Sequence, residues 1–481
     1  MWQTWRRAAE AALFAVLCAG SCCAAAAAGL PAPVATALAA ASIPEQAVAL
    51  YIQPLDGAAP LASHNAERPY NPASVMKLVT TLAALDRLGP AHVFRTGVYT
   101  TGALDGDRLR GDLVLKGGGD PALTLERFWR LLREVRARGI RVIAGDVLID
   151  TACYDLPPED PAAFDRAPLR PYNALPAALL VDYNTVSLHI RADDGRVRLS
   201  LDPPILPLDA RLTLLDGPCD GWAERLEMRL DTSGLQVSGG YPAACGARSL
   251  RLAPLTPERT VAEVFRVLWG ELGGVLEGAV LSAHTPAHAR LLLEYDSPPL
   301  ARLVADVNEH SNNVMARMLY LNLGIAHAGA PGTPAKGEAA VRAWLAERRL
   351  QLPSLVLENG SGLSRGERIS ALDLARLLQF AARRAVFHDF VASLPALGQE
   401  GTLRQRAGDH PFNGRAWLKT GSLADVRALA GYALDGRGRL HIFVFLVNHP
   451  RAAGALAAFD AALRWLGAAS EGQDASPSEA P

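Results

Sequence analysis

The sequence predicts a mixed α/β (α+β) protein: a principal domain on an antiparallel sheet flanked by helices, interrupted by two smaller inserted domains. Three observations lead there. Apolar strand-like runs stand near both ends of the chain, at residues 47–64 and 416–448, so one shared sheet would draw strands from each end. A helical pattern over residues 74–88 follows the first run almost directly. From about residue 91 to 286 the texture changes to short β-like runs between turn residues, with few helical stretches, which reads as a separate body. With 481 residues, 50% of them apolar and 20% charged, the chain is long enough for two or three domains and is not disordered as a whole. A net charge of −1 with no basic block argues against a nucleic-acid partner.

The N-terminus, "MWQTWRRAAEAALFAVLCAGSCCAAAAAGLPAPVA", has Arg6 and Arg7 before an apolar run at 13–20, then small residues with several Ala-x-Ala sites. It reads as an export signal over residues 1–28, with the mature chain beginning between residues 25 and 41. Glu10 is atypical of such a signal, and the alternative is an uncleaved N-terminal anchor; peripheral membrane association is a further expectation. Ala19-Gly20-Ser21 before Cys22 lacks the large aliphatic residue of a lipid-attachment site. Cys18, Cys22 and Cys23 lie in this segment, leaving Cys153, Cys219 and Cys245. Cys219 and Cys245 flank the strand-like "RLEMRLDTSGLQVSGG" and form the expected disulfide, worth roughly 3 kcal/mol for a loop of that length; Cys153 is then a free, buried thiol. No Cys-x-x-Cys spacing suggests a metal, and no metal or cofactor is expected.

Residues 47–64 read as two strands about an Asp56-Gly57 turn, and the helix over 74–88 stops at Gly89-Pro90. The runs "RGDLVLKGGG", "RVIAGDVLID", "TVSLHI" and "RLTLLDG" are strands of the inserted body. Near the C-terminus "AWLKTGSL", "RALAGYALD" and "LHIFVFLVNH" are strands, with a turn at Asp435-Gly436-Arg437-Gly438, and a helix follows in "ALAAFDAALRWLG". The corresponding division is 1–28 signal peptide, 43–90 with 287–468 the principal domain, 91–176 with 252–286 one inserted domain, 177–251 a second and β-rich one, and 469–481 a disordered tail.

Only four of the 48 basic residues are lysine: Lys77, Lys116, Lys336 and Lys419. Arginine keeps its proton, whereas a desolvated lysine can lose one and act as a base. In "NPASVMKLVTT", Ser74 opens the predicted helix and Lys77 lies one turn on, on the same face, so the two side chains can meet. Two other stretches complete a set: Ser311-Asn312-Asn313, between helical segments, and Lys419-Thr420-Gly421 at the end of a strand.

Ser-x-x-Lys, Ser-x-Asn and Lys-Thr-Gly, in this order, resemble the penicillin-binding proteins and serine β-lactamases. About two hundred residues separate the first two elements. That insertion resembles the penicillin-binding-protein-4-like D-alanyl-D-alanine carboxypeptidases and endopeptidases, the class C low-molecular-mass penicillin-binding proteins. "LKGGGDPALT", "GDVLID", "SPPLARLVADVNEHSNN", "ENGSGLSR" and "LKTGSLADVRALAGY" agree with that family, and the resemblance covers nearly the whole mature chain.

The resemblance implies a penicillin-binding-protein/β-lactamase-like catalytic domain in the periplasm. It implies peptidoglycan peptides as substrate and β-lactam antibiotics as covalent inhibitors. Ser74 would be the nucleophile and Lys77 its base. Ser311 would relay a proton to the leaving amine, and Asn313 would hold the substrate amide. Lys419 with Thr420 would fix the terminal carboxylate, next to Gly421, and the backbone N–H groups of Ser74 and Ser422 would form the oxyanion hole. Two departures concern anchoring and rim charge: Asn312 where the family often has Asp, and Arg317 where an acid is often seen. The alternatives are a serine β-lactamase and a non-hydrolytic penicillin-binding sensor or scaffold. "GLSRG" at 362–366 fits a nucleophile-elbow pattern but follows no strand and reads as a turn. "KGGGDP" lacks the Gly-Lys-Ser/Thr ending of a phosphate loop, and His310 reads as a packed or surface residue.

Overall fold

A computed structural model describes residues 29–406 and 410–469. The export-signal segment 1–28, with Cys18, Cys22 and Cys23, and residues 470–481 lie outside them. Among the described residues no helix is long and apolar enough to cross a membrane.

The α/β (α+β) class is the one observed. Five antiparallel strands form the principal sheet, in the order Ala62–His64, Val48–Pro54, Leu440–Asn448, Val426–Leu434, Ala416–Leu423. The two chain ends meet in its middle, with Leu50 opposite Phe445 and Ile52 opposite Phe443. These strands read as near-continuous apolar runs because both faces are covered, and alternate side chains enter different layers. Leu50, Leu418, Phe443 and Phe445 face a cluster completed by helices Ala32–Ala40 and Leu456–Ala469. Tyr51, Ala430, Tyr432 and Val444 face the larger cluster with helices Lys77–Leu88, Leu300–Glu309, Asn313–Ala328, Pro334–Glu347 and Ala371–Ala381.

The helix Ala32–Ala40 stands where the sequence suggested only cleavable small residues. Alanine has high helix propensity and permits close helix packing. Val34 and Leu38, one turn apart, are fully buried against the C-terminal helix.

The inserted body carries a five-stranded sheet (Val280–Ser282, Val147–Asp150, Leu113–Lys116, Arg95–Thr100, Arg290–Asp296), a four-stranded sheet and two three-stranded sheets. The strand Arg290–Asp296 closes the first of these on Arg95–Thr100. A single apolar cluster, from Val98 and Leu115 through Phe265 and Trp269 to Leu188 and Tyr241, runs through both inserted parts. Cys219 and Cys245 are disulfide-bonded, as expected, and Cys153 is free. Cys153 is half-buried rather than enclosed, and that burial raises its thiol pKa.

Candidate active site

Ser74 lies in a 3-10 turn, Ala73–Met76, that runs directly into the helix Lys77–Leu88. The turn is held from three sides. Asn71 Oδ1 accepts the Ala73 N–H (2.9 Å), Asn71 Nδ2 donates to the Ser364 carbonyl (2.9 Å), and the Asn71 N–H donates to Asn448 Oδ1 (2.8 Å) at the end of a central strand. Two glycines let neighbouring chain come close. A Cβ on Gly362, at φ +82°, would lie 1.9 Å from the Ala73 carbonyl oxygen, and one on Gly421 would lie 2.4 Å from that of Pro72. The Gly362–Ser364 stretch is therefore the turn that the sequence suggested, packed beside the serine. Ala73 and Ser311 adopt left-handed φ values of 46° and 56°. Each such conformation costs on the order of 1 kcal/mol or more and persists where its surroundings fix it.

Lys77 is fully buried, with Nζ 3.0 Å from Ser74 Oγ, 2.6 Å from Asn313 Oδ1 and 2.5 Å from the Ser361 carbonyl oxygen. The contact with Lys77 fixes which end of the Asn313 amide is oxygen, and its Nδ2 donates to the Tyr172 carbonyl at 3.1 Å. Lys419, also fully buried, donates to Ser311 Oγ and to the Thr420 carbonyl, both at 2.9 Å. The Thr420 hydroxyl donates to Thr402 Oγ1 (2.9 Å), and Ser422, further along the same strand, is exposed. Burial, with Lys419 nearby, holds the Lys77 ammonium well below the usual lysine range, and the Glu367 carboxylate partly opposes this. Burial alone brings Lys419 down to about 7.

Three stretches remote in sequence thus converge. Ser74, Lys77 and Asn313 form one hydrogen-bonded group; Ser311, Lys419 and Thr420 form a second; Gly421 seats the strand on the serine turn. A serine hydroxyl against a lysine amine that readily gives up its proton is an activated nucleophile. His310 is exposed at the C-terminal end of the helix Leu300–Glu309. Asn312 caps the next helix by accepting the Met315 N–H (3.1 Å), and Arg317 pairs with Glu159 at 2.6 Å, tying that helix to the inserted body. The two departures therefore still anchor the helix. Sequence reasoning missed Tyr172 and Ser361, which act through backbone carbonyls and leave no side-chain signature. It also missed Asn71, Asn448, Thr402 and Glu367; an acid directly after a Gly- and Ser-rich run was the one available signal. Among the described residues no cluster could hold a metal ion.

Fold and groove define a serine peptidase, with a buried lysine amine against a serine hydroxyl. The D-Ala-D-Ala carboxypeptidase 3 (S13) family profile matches residues 30–466, and the chain belongs to this family. It is 25% identical over 394 residues to D-alanyl-D-alanine carboxypeptidase DacB of Haemophilus influenzae, covering 81% of this chain and 82% of that protein. It is 30% identical over 417 residues to the D-alanyl-D-alanine carboxypeptidase of an Actinomadura species, covering 79% and 73%. Among solved structures, penicillin binding protein 4 (dacB) from Haemophilus influenzae superposes with a TM-score of 0.74 at 24% identity, over 90% of this chain and 98% of that one. The resemblance drawn from the motifs is thereby borne out, and with it the fold it implied.

Proposed function

We propose that the protein is a serine D-Ala-D-Ala carboxypeptidase and DD-endopeptidase that cleaves peptidoglycan stem peptides and cross-links through an acyl-enzyme on Ser74. The observation that carries this reading is the placement of Lys77 Nζ 3.0 Å from Ser74 Oγ, with two other oxygens as fixed acceptors. Ser74 Oγ attacks the carbonyl of the penultimate D-alanine while Lys77 takes its proton. The developing oxyanion is met by the N–H groups of Ser74 and Ser422, a kind of contact worth on the order of 10² to 10³ in rate for a single donor. The proton that Lys77 took from Ser74 is relayed through Ser311 to the departing nitrogen, which leaves Lys77 neutral and Lys419 charged. Water then attacks the acyl group, giving its proton to Lys77, and Ser74 leaves with that proton restored. Lys419 and Thr420 receive the terminal carboxylate, whose charge favours the protonated lysine. Asn313 turns its amide to the substrate backbone, which requires the Tyr172 carbonyl to give it up.

β-Lactams acylate Ser74 by the same route; the Haemophilus influenzae structure has also been solved complexed with a β-lactam. We place the protein in the periplasm, exported by residues 1–28 and cleaved before Ala32, because the helix that follows is part of the packed core. The same reading keeps a principal domain with two inserts but moves its boundaries. The strand Arg290–Asp296 pairs in the insert's sheet and the helix Ala32–Ala40 packs in the principal core, which supports 32–90 with 297–468 as the principal domain and 91–176 with 252–296, and 177–251, as the inserts. Digestion of purified muropeptides, with the products read by mass, tests the activity: loss of one terminal D-alanine or opening of cross-linked dimers is expected. Rapid nitrocefin turnover with intact muropeptides would instead favour the β-lactamase alternative.

A further inference from the structure

A buried acid that the reaction above does not use lies beside its base. Glu367 is fully buried. Its Oε1 accepts the backbone N–H groups of Glu358 (3.1 Å), Asn359 (3.0 Å) and Gly360 (2.9 Å), and its Oε2 accepts that of Gly362 (2.9 Å). Burial raises the Glu367 carboxyl above the usual glutamate range, and the four N–H groups oppose this. Because four donors converge on it and none of these partners could accept a carboxyl proton, the geometry favours the carboxylate. The backbone wrapped around it docks on one face of the helix Lys77–Leu88. The Gly360 carbonyl accepts from Thr80 Oγ1 at 2.6 Å, and the Ser361 carbonyl accepts from Lys77 Nζ at 2.5 Å. A neutral amine has two N–H bonds and one lone pair. The Ser361 carbonyl and Asn313 Oδ1 take the two N–H bonds, and the remaining contact is Ser74 Oγ at 3.0 Å.

We propose that Glu367 is a positioning residue for the base: by gathering the backbone of residues 358–362 around its carboxylate, it aims the Ser361 carbonyl at Lys77 so that the amine lone pair faces Ser74. It also places a negative charge in the field at Lys77. The charged groups facing Lys77 are Lys419, which favours the neutral amine, and Glu367, which favours the ammonium. Around Glu367 lie Lys77, the buried Tyr320 phenol, and Glu358, whose carboxylate accepts from the Ser364 hydroxyl. The inference rests on the reading of Ser74 as nucleophile and Lys77 as its base, and deepens it.

The chain has four lysines, so selective ¹³Cε-lysine labelling gives a spectrum in which Lys77 can be followed directly through a pH titration. The test compares wild type, Glu367→Gln and Glu367→Asp for Lys77 titration, for pH-dependent acylation by a fluorescent penicillin, and for thermal unfolding. Glu367→Gln should slow acylation about tenfold or more, and should move both the Lys77 midpoint and the acidic limb of the rate profile to lower pH. A merely structural residue would lower the rate and the stability without moving either. Glu367→Asp keeps the charge but withdraws it by one methylene, and should slow acylation with a smaller shift of the Lys77 midpoint and the acidic limb to lower pH. It carries the test if the Gln variant fails to fold, and a slower Asp variant with neither moved overturns the proposal. A folded variant of either kind that acylates at the wild-type rate with an unchanged Lys77 midpoint overturns the proposal. If wild type is never acylated while the Lys77 midpoint still moves in Glu367→Gln, the charge coupling stands and the catalytic reading falls.

Discussion

The groove and the inserted body bury charge in opposite ways. In the insert, two buried acids are matched, Asp150 by the Thr285 hydroxyl and N–H and the Ala152 N–H, and Asp182 by Arg251 at 2.5 Å; Asp120 is the exception, with Oδ2 unpartnered and its carboxyl raised by burial to about 6. Other insert charges pair at the surface, as Arg108 does with Glu277. In the groove two fully buried lysines touch only neutral oxygens: Ser74, Asn313 and Ser361 around Lys77, Ser311 and Thr420 around Lys419. An unmatched buried cation is costly, and removing the cost by pairing it would also remove its readiness to give up a proton. The difference separates a region arranged for stability from one arranged for chemistry.

The comparison breaks most visibly at Lys77. Lys77→Arg keeps the charge and loses the base, so acylation by a fluorescent penicillin should fall by on the order of 10³ or more while thermal unfolding stays close to wild type. A fully active variant would remove Lys77 from the role. The insert should respond in the converse sense. Cys245→Ser opens a loop whose ends are 26 residues apart and should lower stability by about 3 kcal/mol in denaturant unfolding, while acylation of the folded protein is unchanged. Lys419→Arg sharpens the contrast between the lysines: about ten- to a hundredfold slower acylation is expected, with a changed pH profile. Burial brings Lys419 down to about 7, and its proposed contact with the substrate carboxylate needs the charged form, so kcat/KM of the wild type should fall as pH rises through that value. The arginine variant should keep its residual rate there. Equal losses in the two lysine variants would mean that their roles are exchanged or shared. Arg108→Ala is the smallest test: its exposed ion pair should contribute nothing visible to unfolding or acylation.

Much of this was legible in the sequence because it follows from local spacing. Ser74 and Lys77 meet through helical geometry, Asn312 caps a helix as its type suggests, and the apolar runs at both ends do share a sheet. The Cys219–Cys245 pair was legible from the strands between them. What escaped were contacts through backbone atoms, such as the Tyr172 and Ser361 carbonyls, since any residue type supplies a carbonyl. Glu367 escaped because its partners are N–H groups of a loop whose path only the fold defines. The helix Ala32–Ala40 escaped for another reason: an alanine-rich run after an export signal satisfies two readings, and only its packing against Leu456–Ala469 separates them.

The meeting of the chain ends in the central sheet also sets an order of assembly. Asn71, beside Ser74, is clamped by Asn448, 377 positions later, and Lys419 comes from the strand at the far edge. A chain made and delivered from its N-terminus carries Ser74 and Lys77 long before the strands that close the groove exist, whereas the insert, complete by residue 296, can pair its strands first. The serine is therefore idle in the emerging polypeptide and gains its reactivity only when the last strands arrive. A chain ending before residue 416 should still form the Cys219–Cys245 bond and yet take up no penicillin.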